Sequence, residues 1–303
     1  MTRTHDHTHR AGSRRALGLV LVLTVAYTGA EIVGGLLTGS LALLADAGHM
    51  LGDSAALALA LGAAWLATRP ATPERSFGFR RAEILAALAN GLALVAIAIW
   101  VFVEAIRRLD HPPHVLGGWM LLVAGIGLGV NLAAARILAR AAEENLNVQA
   151  ALRHVFADIG ASVGVAVAAL VILTTGWRQA DPIAGLAIAL LILASSWTIL
   201  RDSVAILLEA APAGLDAEEV GRRMAEAEGV VEVHDLHIWT ITSGFPTLSA
   251  HVLVRRGDDC HARRHELEQL LANEFQLTHT TLQVEHVGEH EGLRITNLRR
   301  LGR

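Results

Sequence analysis

Lysine is absent: all 25 basic residues of this 303-residue chain are Arg. That absence is a compositional bias of the source and carries no mechanism. Cysteine occurs once, at Cys260, which excludes an internal disulfide framework and a Cys-rich metal site. Charge is scarce. Asp, Glu and Arg make up 18% of the chain, against roughly 25% in a soluble one. The formal net charge of −4 leaves no electrostatic footprint for nucleic acid. No segment reads as a cleaved signal peptide. The first apolar run is too long, and no small-residue cleavage site closes it.

What is present is apolar surface. The hydrophobic residues reach 53% before the 28 Gly are counted, above the roughly 45–50% of a soluble chain with Gly included. Mean hydropathy is +0.44. Disorder, collagen and a simple water-soluble enzyme are excluded. The little charge there is falls unevenly. Residues 1–209 hold 15 Arg and 14 acidic residues, whereas the shorter 210–303 holds 10 Arg and 15 acidic. The break near Ala211-Pro212 separates a lipid-embedded part from a soluble one.

Six runs upstream of the break are long enough to span: 16–37, 41–66, 82–106, 115–139, 148–173 and 183–207. About 20 residues cross a core about 30 Å thick. Thr38-Gly39-Ser40 is a tight turn, and Pro112-Pro113 breaks the chain before the fourth run. Asp181-Pro182 opens the sixth, with Pro in a favoured first-turn position. Eleven Arg fall on one side of the membrane (Arg3, Arg10, Arg14, Arg15, Arg69, Arg75, Arg80, Arg81, Arg136, Arg140, Arg201) and three on the other (Arg107, Arg108, Arg178). The positive-inside rule then places both termini and the soluble domain in the cytoplasm. The expected layout is a cytoplasmic tail over 1–15 with His5, His7 and His9, a six-helix membrane domain over 16–209, a small α+β domain over 210–290 and a patternless, disordered tail over 291–303.

Within the soluble part, 216–227 predicts a short amphipathic helix, with Asp216 as N-cap and Glu219 completing a capping box. Residues 230–242 and 247–255 predict strands joined by a turn at Gly244 and Pro246. Residues 261–275 predict a helix and 280–287 a third strand. About 90 residues bury only a modest core, so association of two copies would help it.

Charges inside the spans carry the chemistry. The second span holds Asp46, His49 and Asp53; the fifth holds His154 and Asp158. The box His-x-x-x-Asp occurs in both, and its i,i+4 spacing puts imidazole and carboxylate on one helix face. Asp53 lies roughly 18 Å from the outer face and Asp158 roughly 15 Å from the inner one, at 1.5 Å per residue. Both reach the midplane, so the boxes can face each other. An Asp at a helix centre costs about 2.5–3.5 kcal/mol on insertion scales, and no Arg sits at matching depth. A divalent cation would neutralise both. Two imidazole nitrogens and two carboxylate oxygens suit tetrahedral Zn²⁺, admit Co²⁺, and suit Ca²⁺ or Mg²⁺ poorly. The competing reading, protonated carboxyls packed between helices, explains one box but not a matched pair. Glu31, Glu83, Glu104 and Asn131 are further polar groups in the spans, each suited to hydrating a cavity or bonding a neighbouring helix. Asp46, one turn above His49, is placed to relay ions or protons outward.

These residues resemble the cation diffusion facilitator family of metal/proton antiporters, specifically its bacterial cobalt-zinc-cadmium efflux type. The segment from Ser40 through Asp46, His49 and Asp53 to Ser54 resembles that family's second-helix signature. Phe77-Gly-Phe-Arg-Arg-Ala-Glu83 resembles its third-helix entry, His154-Val-Phe-Ala-Asp158 its fifth-helix site, Asp181-Pro182 the start of its sixth helix, and Val233-His234-Asp-Leu-His237-Ile-Trp239 the first strand of its cytoplasmic domain. The match covers nearly all of 12–288. It implies an α-helical membrane protein of six transmembrane helices with a ferredoxin-like or metallochaperone-like cytoplasmic domain, assembled as a homodimer in the cell membrane. By analogy His49, Asp53, His154 and Asp158 form the transport site. A His at the first position is the pattern of zinc-preferring members.

In the soluble domain the resemblance implies regulatory metal at His234, His251 and Glu285, with His237 and His265 next. Gln283 stands where some relatives have His, a departure from a binuclear site. His279, His286 and His290 read as solvated, and Cys260 beside His261 reads as incidental. The loop 68–79 lacks His and Asp, so no metal is expected there. The expected function is proton-coupled export of Zn²⁺, with Co²⁺ and Cd²⁺ as other cargo, by alternating access, without enzymatic activity. The alternatives are a membrane metalloenzyme using the same ligands and a membrane-anchored metal sensor.

Overall fold

The computed structural model describes residues 4–139 and 146–288, with side chains from 18 onward except at 146, 147 and 150. The side chains of His5, His7 and His9, most of the loop 140–148, His290 and the 291–303 tail lie outside the described residues. Six long helices come first: α1 (Thr4–Thr38), α2 (Leu41–Ala67), α3 (Ala82–Asp110), α4 (Gly117–Ala139), α5 (Leu146–Thr175) and α6 (Ala180–Leu207). All six contain a stretch long and apolar enough to cross a membrane, α1 through Gly18–Thr38. The helix begins at Thr4 and not near residue 16, because nothing between Thr4 and the first span is a Pro that would break it.

The chain divides into two compact units, Met1–Gly62 with Ala86–Leu200 and Ala63–Leu85 with Arg201–Arg303. In the first, Leu41, Leu94, Met120, Val165, Ile188 and Ile192 belong to one buried cluster. Leu36, Trp119, Leu191 and Trp197 stand more than 60% exposed on the outside, the surface that lipid covers in a helical membrane protein. Close approach of helices needs small residues. A Cβ at Gly127 of α4 would fall inside the Tyr27 phenol of α1, and one at Gly34 would meet Val123 at 2.9 Å.

The second unit adds α7 (Ala217–Ala225), β1 (Val230–Thr240), β2 (Pro246–Val254), α8 (Cys260–Phe275) and β3 (His279–His286). The sheet order is β1-β2-β3, with β1 and β2 antiparallel and β2 and β3 parallel across α8. Along β2, Leu248, Ala250, Val252 and Val254 are buried against Val220, Met224, Leu267 and Leu271. The intervening Ser249, His251 and Leu253 are half-buried on the other face, as the two-residue period of a strand requires. The stretch Ala63–Leu85 belongs to this unit through tertiary pairs. Arg81 bonds Glu209 at 3.1 Å, Thr242 Oγ1 donates to Glu83 at 2.7 Å, and the Arg80 guanidinium stacks over Phe245 at 4.5 Å. No composition break marks such pairs.

The capping box is half-formed. Asp216 accepts from the Glu218 N–H at 2.9 Å, whereas Glu219 turns to Arg222. The arginine one turn on offers a full charge, which outcompetes a neutral backbone N–H.

Candidate metal centre

Two helices bring the four intramembrane donors together. His49 and Asp53 lie one turn apart on α2, and His154 and Asp158 one turn apart on α5. His49 Nε2 lies 3.6 Å from Asp53 Oδ2 and 3.9 Å from Asp158 Oδ1. His154 Nε2 lies 3.1 Å from Asp53 Oδ2 and 3.9 Å from Asp158 Oδ2. The two imidazole centroids are 6.0 Å apart. Four ligands around Zn²⁺, each at about 2.0–2.1 Å, sit about 3.3 Å from one another along the tetrahedron's edges. The nitrogen–oxygen separations straddle that value. Small side-chain adjustments would close them on one ion. Among the described residues the group that offers three donor atoms within 4.8 Å of one another is His49, Asp53 and Asp158. His154 completes it through its Asp53 contact.

Exposure of the side chains follows a gradient. Asp158 is 7% exposed, His49 20%, Asp53 31% and His154 47%. The centre is therefore closed toward the N-terminal half of α2 and open toward the C-terminal half. Asp158 Oδ1 is buried without a hydrogen-bond partner, which leaves its lone pairs available to a metal.

Several other polar groups of the spans have protein partners. Asn131 donates to Ser162 Oγ at 3.1 Å, tying α4 to α5 beside the centre. Arg108 bonds Glu104 at 2.8 Å and donates to the Gly39 carbonyl at 2.7 Å, fixing the α1–α2 turn. Tyr27 donates to Glu31 Oε1 at 2.9 Å. Asp46 is 1% exposed, with neither oxygen hydrogen-bonded.

One residue that sequence reasoning passed over is Asp181. It opens α6, but its carboxylate serves α2. It accepts from Ser40 Oγ at 2.6 Å and from the backbone N–H groups of Leu41 and Ala42 at 2.7 and 3.1 Å. Ser40 Oγ in turn accepts from the Leu43 N–H at 3.1 Å. Asp181 is thus a cap supplied from another helix, and it satisfies the orphan donors that start α2 and places the negative charge at its positive end. The Asp-Pro pair marked the start of α6, but no local pattern names a cap's partner 140 residues away.

In the soluble unit His234 and His251 are cross-strand partners, with ring centroids 5.4 Å apart. Gln283 is the next residue in that row, opposite His251, and donates to the Glu285 carboxylate. His234 and His251 meet, but among the described residues no three donors that include Glu285 approach within 4.8 Å of one another. Between His234 and His237 the register slips, with Asp235 at φ +48°. That bulge aims His237 into a cavity of about 940 Å³, lined also by Phe77, Arg81, Trp239 and Ser249. His265 is paired with Gln269 at 3.0 Å on the surface. Two of the histidines expected to be solvated have partners. The His279 ring packs 5.1 Å from that of Phe245. His286 Nε2 lies 2.9 Å from the Asp258 carbonyl and 3.5 Å from Cys260 Sγ. Asp259 caps α8, and bonds from the His261 and Ala262 N–H groups hold its carboxyl below the usual range.

Comparison with known proteins agrees along most of the chain. The cation efflux transmembrane domain matches residues 17–208, and the cytoplasmic domain of cation efflux proteins matches 212–287. The chain is 42% identical over 282 residues to the metal cation efflux system protein CzcD of Cupriavidus metallidurans, covering 93% of this chain and 89% of that one. It is 40% identical over 287 residues to the cadmium, cobalt and zinc/H(+)-K(+) antiporter of Bacillus velezensis, covering 93% and 91%. It is 43% identical over 290 residues to the zinc transporter ZitB of Shigella flexneri, covering 93% and 92%.

Proposed function

The chain belongs to the cation efflux family, the cation diffusion facilitators, and from that premise we propose that it exports Zn²⁺ from the cytoplasm in exchange for protons. It is a multi-pass membrane transporter and not an enzyme. The observation that carries the reading is the convergence of His49, Asp53, His154 and Asp158 from α2 and α5. The relatives named for zinc, cobalt and cadmium support the metal class, and the two imidazoles favour zinc within it. Co²⁺ and Cd²⁺ are secondary cargo.

The chemistry follows from the donors. Imidazole and carboxylate bind a metal only when deprotonated, so loading the site releases protons and protonating it releases metal. The site is open toward the side that the Arg bias assigns to the cytoplasm, where metal enters with both His neutral. After the centre opens outward, protons displace the ion. The same nitrogens and oxygens take either protons or the metal, so a proton gradient can drive the exchange. The naming of one relative as a zinc/H(+)-K(+) antiporter supports proton coupling. The cytoplasmic domain joins two copies into a homodimer. Metal at His234 and His251, with Glu285 nearby, biases the transport equilibrium insofar as the two states differ in affinity for it.

The test is metal flux into proteoliposomes under an imposed pH gradient, wild type beside His49→Ala. The expected result is gradient-driven Zn²⁺ uptake that the substitution removes. Wild-type protein that moves no Zn²⁺, Co²⁺ or Cd²⁺ would sink the proposal.

A further inference from the structure

The loop between α2 and α3 carries more positive charge than its own contacts use. Residues 68–81 hold Arg69, Arg75, Arg80 and Arg81 against Glu74. Arg80 lies over the Phe245 ring, and Arg81 pairs with Glu209. Arg69 and Arg75 are exposed, and among the described residues neither makes an ion pair or a side-chain hydrogen bond. Each is fixed all the same. The Arg69 guanidinium lies 4.6 Å over the Trp65 ring, and the Arg75 guanidinium 4.5 Å over the Phe79 ring. A guanidinium laid against a ring keeps its N–H edge free for phosphate oxygens. The backbone beneath them is closed. The Thr72 N–H donates to the Arg75 carbonyl at 3.2 Å and the Arg75 N–H to the Thr72 carbonyl at 3.0 Å. Gly78, at φ +64°, donates to the Arg75 carbonyl at 2.8 Å, and a Cβ there would stand 3.6 Å from the Arg69 carbonyl. Both arginines therefore flank one glycine.

Arg69 stands just past the end of α2 at Ala67, a helix long and apolar enough to span. Leu57, Leu61 and Trp65 follow at four-residue steps along that helix, 42%, 63% and 63% exposed, so they share one outward face. The stripe is apolar at the depth of the hydrocarbon, aromatic at the interface and cationic, through Arg69, at the level of the phosphates. A free anion would use the guanidinium groups but not the stripe. We propose that this loop binds the phosphate of an anionic phospholipid through Arg69 and Arg75, with an acyl chain along Leu57 and Leu61. Four spans, α3 to α6, separate the loop from the soluble unit. The number is even, so the lipid belongs to the leaflet on that unit's side. Bound there, it ties the end of α2 to that leaflet. The site shares no residue with the metal centre and does not rest on the transport reading.

The test titrates the purified full chain in detergent with phosphatidylglycerol and with phosphatidylcholine of the same acyl chains, and counts bound lipid by native mass spectrometry. Phosphatidylglycerol is expected to bind the more tightly. Arg69→Gln and Arg75→Gln are each expected to weaken it by about five-fold, the effect of one cation near a charged surface. Phosphatidylcholine is expected to bind both variants as it binds wild type, which also reports an intact fold. Arg201→Gln is the control. It removes an exposed cation near the end of α6 that Asp202 already pairs at 2.9 Å, and both lipids are expected to stay within about two-fold. Excess inorganic phosphate is expected to leave phosphatidylglycerol bound. Equal affinity for the two lipids in wild type would overturn the proposal. So would a loss in Arg201→Gln as large as that in Arg69→Gln, the mark of diffuse charge. Release of the lipid by inorganic phosphate would overturn it as well, in favour of a free-anion site.

Discussion

The two parts of the chain hold their histidines by opposite means. In the membrane unit, His49 and His154 stand on long helices, each one turn from an Asp on the same face, and four donors close on a point. In the soluble unit, His234 and His251 stand side by side on adjacent strands, and the third position in their row is Gln283. The difference is one of cost. A polar group in lipid has no water to fall back on, so it persists only with a partner of its own. The open face of a three-stranded sheet exacts no such cost. A cluster in the membrane is therefore strong evidence of a ligand, and a cluster on the sheet is weak evidence.

The sharpest break in this comparison is at the membrane carboxylates. Asp53→Ala or Asp158→Ala is expected to lower Zn²⁺ flux by about 100-fold or more, beyond the 10–100-fold typical for a residue that only supports a ligand. Flux in proteoliposomes checks it. Next comes Asp181→Ala, which orphans the Ser40 hydroxyl and two backbone N–H groups. Taking the low end of about 1–3 kcal/mol for each, the loss is about 3 kcal/mol, seen as a lower melting temperature of the purified protein. In the soluble unit His251→Ala is expected to change stability by only about 0.5 kcal/mol, since its side chain stands off the core. The smallest effect is at Asp259. Its carboxyl is held low by two N–H bonds, so its contribution is complete above the ordinary Asp range, near pH 4, and fades as pH falls through the lowered value. Asp259→Asn keeps an acceptor and is expected to remove that acid dependence from thermal melts.

How much of this could be read in the sequence follows the same division. The spans and the repeated His-x-x-x-Asp boxes were legible because apolar runs and i,i+4 spacing are local patterns. The strands of the soluble unit were legible to within two residues for the same reason. What escaped were the partners fixed by packing. Nothing near Asp181 points to Leu41, and nothing near Glu83 points to Thr242. The bulge at Asp235 was hidden as well, since a left-handed residue inside an apolar strand leaves no periodic mark. His279 and His286 read as solvated because their polarity was visible and their neighbours Phe245 and Asp258 were not.

The central claim is that the transported metal sits between α2 and α5 on two imidazoles and two carboxylates. Zinc-edge X-ray absorption on the full chain tests it most directly, in a His234→Ala, His251→Ala variant that silences the sheet pair. The account predicts a four-coordinate ion with two imidazole nitrogens and two oxygens at about 2.0–2.1 Å, lost when Asp158→Ala is added. A spectrum without imidazole, or one unchanged by that addition, would contradict it.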